Sequence, residues 1–180
     1  MTNQFGKVNQ LAAADSSSED EHWMQRALAR AKQAGQQGEV PVGAIVVMDG
    51  QCVAEAFNQP IATCDATAHA EMIALRTACS VVANYRLTGA TLYVTIEPCT
   101  MCFGAMLHAR IKRLVYGAAE PRAGVVSSQL QLAGRDFYNH KIDVGLFDCH
   151  VSICQILFVA IFLLLQCPGA SLLAGVAAQV

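Results

Sequence analysis

Charge is scarce in this sequence. Only 14% of its 180 residues are Asp, Glu, Lys or Arg, against 54% hydrophobic, a low charge content for a soluble globular chain. From Gly145 to Val180 there is no Lys or Arg. The formal net charge of −2 gives no strong field of either sign, and taken alone it argues against a nucleic-acid partner. The charge is uneven, however. Four acids sit together at Asp15 and Glu19-Asp20-Glu21, whereas between His22 and Val144 nine acids face eleven Lys and Arg. The middle of the chain is therefore mildly basic, which permits RNA binding without demanding it. No internal repeat is visible, and the length suits one domain rather than two. The first ten residues hold no apolar run or small-residue cleavage site, so no secretory signal is expected. The eight cysteines then read as reduced cytoplasmic thiols rather than a disulfide framework. Cys52, Cys64 and Cys79 are expected to be ordinary buried or half-buried residues.

What is present is an alternation of helix and strand signals. Residues 1–14 read as a flexible arm. Ser18 with Glu21 fits a capping box opening a helix, on which Trp23, Ala27 and Ala31 share a face beside Met24 and Leu28. Val40 to Met48 is a nearly continuous apolar run, as in a strand buried on both faces. Asp49-Gly50 is a hairpin turn, and Gln51 to Phe57 returns as the second strand. Asp65 is placed to cap the next helix, with His69 and Glu71 in its first turns. A third strand is expected over Thr91 to Ile96, and Pro98 fits the first turn of a helix running to His108. Fourth and fifth strands are expected over Ile111 to Gly117 and Ile142 to Val144, with a long loop from Ala118 to Arg135. The order predicts an α/β fold with a mixed five-stranded sheet and helices on both faces.

Two short stretches carry chemistry. Thr67-Ala68-His69-Ala70-Glu71 supplies an imidazole and a carboxylate. Glu97-Pro98-Cys99-Thr100-Met101-Cys102 supplies two thiols at i and i+3, on one face of a helix. Zinc prefers nitrogen and sulfur ligands, and a catalytic zinc keeps three protein ligands and one open position. His69, Cys99 and Cys102 make three. Thiolates are favoured at a helix start, and Glu71 is left over as a proton carrier beside a metal-activated water. Alone, the paired cysteines also fit a redox motif or half of a structural site, with Cys64 the nearest candidate for a fourth ligand. A redox reading leaves His69 and Glu71 unexplained.

The H-x-E and P-C-x-x-C pair is the signature of zinc-dependent deaminases. With Glu39-Val40-Pro41-Val42-Gly43-Ala44, Asn58-Gln59-Pro60 and Asn84-Tyr85-Arg86-Leu87, it resembles the bacterial tRNA-specific adenosine deaminases, within the cytidine deaminase-like superfamily. The resemblance runs from about His22 to Val144. It implies a three-layer α/β/α fold, a homodimer, one zinc per subunit, and hydrolysis of adenosine to inosine at the wobble position of a tRNA anticodon stem-loop in the cytoplasm. Position by position it implies His69, Cys99 and Cys102 as zinc ligands, Glu71 as the catalytic proton shuttle and Asn58 as a contact to the target nucleoside. Glu120-Pro121-Arg122-Ala123-Gly124 resembles an RNA-contacting loop, and equally a plain surface turn. His108 to Arg113 is basic, and fits either phosphate contacts or the solvated end of a strand. The alternatives are a free-base deaminase acting on guanine or cytosine, and an inactive RNA-binding partner subunit.

The deaminase domain expected over residues 15–144 is followed by an atypical apolar tail, 145–180, that departs from the family. Val151 to Leu165 is almost wholly apolar, yet short for a membrane span of about 20 residues and without flanking positive charge. A shifted reading frame, a buried terminal helix and a membrane anchor all fit it, and membrane contact is not the expectation adopted.

Overall fold

The computed structural model describes residues 5–147, with side-chain environments from residue 18 onward. The apolar run from Val151, with its three readings, lies outside the described residues. Five strands form one mixed sheet in the order β2-β1-β3-β4-β5: β1 Gly43–Met48, β2 Gln51–Phe57, β3 Thr91–Val94, β4 Arg113–Tyr116 and β5 Asp143–Leu146. The hairpin pair β1–β2 and the pair β1–β3 are antiparallel, and β3–β4 and β4–β5 are parallel. This is the α/β fold and mixed sheet expected.

The hairpin forms where expected because Asp49 and Gly50 both adopt positive φ, 50° and 69°, the backbone of a two-residue turn whose twist matches the strands. β1 is buried on both faces, as its unbroken apolar run requires. On one face lies α1, Phe5–Gln36, which presses Trp23, Met24 and Ala27 onto Ile45, Val47, Tyr93 and Val115. Gly43 permits this approach: a Cβ there would collide with the carbonyl of Ala27 and stand 2.6 Å from the Ala31 nitrogen. The other face carries α3, Ala70–Val82, and α4, Thr100–His108, over a core that includes Leu75, Leu92, Phe103, Met106 and Leu114. A short helix α2, Pro60–Thr63, and a 3-10 turn, Leu132–Gly134, lie in the connections. Among the described residues no helix is long and apolar enough to cross a membrane.

Several boundaries differ from expectation. Ser18 and Glu21 do not open α1; its backbone is already helical from Phe5, so most of the segment read as a loose arm is helical. Gln10-Leu11-Ala12-Ala13-Ala14 is a run of strong helix formers that carries the helix upstream. Asp65 does not cap α3, whose N-cap is His69; it closes a turn by accepting the Thr67 N–H at 2.8 Å and the Thr67 hydroxyl at 2.7 Å. Pro98 precedes α4, and Cys99 is its N-cap. Cys64 is exposed rather than buried, at a left-handed residue that ends α2.

Candidate metal centre

The strand directions decide where the site forms. β2 and β3 both run antiparallel to β1, so they point the same way, and the helices that follow them start at the same end of the sheet. His69 is the N-cap of α3 and Cys99 the N-cap of α4. Two helix N-termini, each with N–H groups that lack partners within the helix and a positive dipole end, therefore meet. That field favours thiolates.

The three donors come together. Nδ1 of His69 lies 3.7 Å from Sγ of Cys99 and 3.6 Å from Sγ of Cys102, and the two sulfurs are 3.7 Å apart. The zinc bond lengths of about 2.3 Å to sulfur and about 2.05 Å to nitrogen, at tetrahedral angles, set donors about 3.8 Å apart for two sulfurs and about 3.6 Å apart for sulfur and nitrogen. The triangle fits that ion. Among the described residues this is the single cluster of three or more potential metal ligands, and Cys64 is not part of it. The two thiols are hydrogen-bonded to each other. Cys99 is drawn down to about 5, first by its hydrogen bond with Cys102 and against its burial. Cys102 is pushed up by the same bond and by burial.

Glu71 is the second residue of α3, only 3% exposed. Its Oε2 is the one buried side-chain oxygen or nitrogen without a hydrogen-bond partner among the described residues. Burial, first, raises its pKa, opposed by its own backbone N–H and raised further by the charge of Cys99. A buried carboxyl oxygen left unpaired costs stability. Here the carboxyl lies within interaction range of Cys99, His69 and Cys102, where a water or substrate would complete it.

Asn58, also buried, accepts the N–H of Ala70 through Oδ1 at 2.8 Å. It thereby satisfies an orphan donor of α3 from twelve residues away and leaves its amide nitrogen to donate elsewhere.

The basic stretch is divided. Arg113 is spent on Asp20 in a two-pronged ion pair at 2.7 and 2.6 Å, and Arg110 donates to the Asn139 carbonyl at 3.3 Å. Lys112 and His108 are exposed. Arg113 therefore fits the structural reading rather than phosphate contact.

Two buried acids had no role assigned from the sequence. Glu39, 5% exposed, accepts the N–H groups of Ile61 and Ala62 at 3.3 and 2.8 Å, and so holds the segment after Asn58. Glu97, 2% exposed, accepts backbone N–H groups from Glu120, Ser127 and Ser128 at 3.0, 2.7 and 2.9 Å. Burial alone would raise the Glu97 carboxyl, but hydrogen bonds from the Ser128 hydroxyl and these amides hold it below the usual range. The available signal was an acid without a base at helical or strand spacing.

The family model for the cytidine and deoxycytidylate deaminase zinc-binding region matches residues 17–118. The tRNA-specific adenosine deaminase of Agrobacterium fabrum is 45% identical over 127 residues, which are 71% of this chain and 84% of that protein. That of Haemophilus influenzae is 47% identical over 134 residues, 74% and 78% of the two chains. Among solved structures, one from work on A-to-I editing by tRNA:A34 deaminases at the wobble position superposes with a TM-score of 0.68 at 44% identity, covering 70% of this chain and 97% of that one. A guanine deaminase from Bacillus subtilis superposes at 0.56 with 29% identity, covering 83% and 96%.

Proposed function

Because the chain belongs to the zinc-binding deaminases, and among them to the tRNA-specific adenosine deaminases, we propose that His69, Cys99 and Cys102 hold its zinc and that Glu71 moves the protons of adenosine deamination in tRNA. The reaction replaces the amino group of adenosine by oxygen from water. A C–O bond forms at the ring carbon, the C–N bond breaks, and ammonia leaves, giving inosine at the anticodon wobble position.

The observation that carries this reading is the donor triangle with sides of 3.6 to 3.7 Å beside the unpartnered Oε2 of buried Glu71. Zinc supplies acidification of a water and charge stabilisation as the ring carbon is attacked. Glu71 takes a proton from the attacking water, passes one to a ring nitrogen, and helps protonate the departing amine. Its burial keeps bulk water from competing for those protons. Asn58 holds the α3 start through its oxygen and donates its amide hydrogens to the bound base. A base must leave its stack to reach such a pocket, so the substrate presents a flipped nucleotide from a single-stranded loop. A homodimer and a cytoplasmic location complete the proposal. The half-exposed α4 face at Met101, Gly104 and Ala105 offers small apolar surface for a second copy, which sedimentation would detect.

The test is direct. Purified protein is assayed for stoichiometric zinc and for inosine in an anticodon stem-loop. Protein that holds zinc and forms no inosine rejects the reading. Guanine and cytosine in the same assay separate it from a free-base deaminase, the alternative favoured by the likeness to the guanine deaminase structure.

A further inference from the structure

The loop after β4 is built around one carboxylate. Glu97 follows β3 and sits two residues before Cys99. Besides the three backbone N–H groups, it accepts the hydroxyls of Ser128 and, at 3.4 Å, Ser127. Its own N–H reaches the Ala118 carbonyl at 2.8 Å, and the Val125 N–H reaches the Pro98 carbonyl at 3.1 Å. Residues 118 to 128 are thus tied, at several points, to the two residues just before the first cysteine. Val125 and Val126 are buried, while Pro121, Arg122 and Ala123 are exposed.

The fit is close from the loop side as well. A Cβ on Gly124 would collide with Oε2 of Glu97 and lie 2.6 Å from the Glu120 carbonyl. Gly124 is therefore the point where the loop backbone meets the carboxylate. A carboxylate suits this place because it only accepts, and all its partners donate. A glutamine would turn a donating NH2 toward N–H groups, so neutral replacement leaves donors unmatched.

We infer that Glu97 is the positioning residue that shapes the 118–128 loop into the wall beside the metal site, and that this wall sets how tightly the RNA strand is held. The inference rests on the RNA reading above. The segment anchored at Glu97 and Pro98 adjoins Cys99 of the donor triangle, and Arg122 is the exposed cation on it. Glu97 touches neither the donors nor the reacting atoms; its influence runs through the loop.

The experiment compares wild type with Glu97→Gln and Gly124→Ala, which disturb the same contact from opposite sides. Hydrogen exchange at the Glu120, Ser127 and Ser128 amides, zinc content, stem-loop affinity and the kinetic constants are measured on each. Both variants are expected to exchange those amides faster, to keep their zinc, and to bind the stem-loop at least about tenfold more weakly, the scale of one charge-assisted hydrogen bond. KM should rise more than kcat falls, and the double variant should be no worse than the poorer single one. Unchanged exchange and affinity overturns the inference. So does loss of zinc in folded variants, or a fall in kcat at constant KM. If Glu97→Gln does not fold, Gly124→Ala decides alone by the same readings. The zinc and exchange measurements stand whether or not the wild type makes inosine, so failure of the functional reading is seen separately.

Discussion

Oδ1 of Asn58 accepts the backbone N–H of Ala70 at 2.8 Å, joining the segment after β2 to the residue directly following His69. One side chain thus serves the helix with its oxygen and is proposed to serve the substrate with its nitrogen. The two duties separate by mutation. Asn58→Ala loses both, and should cost about 1 kcal/mol of stability, as for a lost helix cap, along with deamination. Asn58→Asp keeps an acceptor for Ala70 and loses the donor. It should melt closer to wild type than the alanine variant and still deaminate poorly. An aspartate variant with wild-type kcat/KM would remove the amide from substrate binding.

Glu71 is expected to behave as a proton carrier and not as a ligand. Glu71→Ala should retain stoichiometric zinc and lose about 10²- to 10⁴-fold in kcat, the usual worth of general acid–base catalysis. Relieving a buried unpartnered carboxyl should leave melting unchanged or slightly raised. Turnover at the wild-type rate would take Glu71 out of the mechanism.

Removing a ligand should act on metal before anything else. Cys102 is fully buried at the N-terminal turn of α4, and Cys102→Ala should purify with little zinc. Chelation of the wild type should abolish inosine formation and lower the melting temperature, with zinc restoring both. Metal at 100 times its dissociation constant contributes about 2.7 kcal/mol. A variant that retained a full equivalent of zinc would exclude Cys102 from the ligand set.

The pH dependence of stability should carry a signature of Tyr93. Its hydroxyl donates to Oδ1 of Asp20 at 2.8 Å. Burial, then that bond and the Asp20 charge, raise the phenol pKa. With the folded value above the unfolded value of about 10, the protonated phenol's contribution is fully present below about pH 10 and is lost as pH rises beyond it. Wild-type stability should therefore fall by up to about 1.4 kcal/mol per pH unit above pH 10 through this group, and Tyr93→Phe should be flatter there. Urea denaturation between pH 8 and 11 measures both slopes; identical slopes would contradict the assignment.

Much of this protein was legible from local pattern. The bounds of β2 were read to the residue, and Trp23, Ala27 and Ala31, read as sharing one face of α1, are all buried. What local pattern missed was set by contacts at long range. Asp65 looked like a cap because caps are short polar residues, yet the turn it makes with Thr67 delays the helix to His69. The basic stretch ending at Arg113 fitted either phosphate contacts or the solvated end of a strand. The partner of Arg113, Asp20, is 93 residues away on the helix covering the other face.

The sequence by itself determined the chemistry on offer: an imidazole, two thiols and a carboxylate, each type suited by its own electronic structure to zinc or to proton transfer. Tertiary structure alone decided that they meet. Two strands pointing the same way on either side of β1 start their helices at one end of the sheet, and so bring His69 within 3.7 Å of a sulfur 30 residues away. Glu97 shows the same division. Its charge is written in the chain, but its partners gather only when the loop after β4 folds back over it, because a buried carboxylate is tolerated only where enough donors converge.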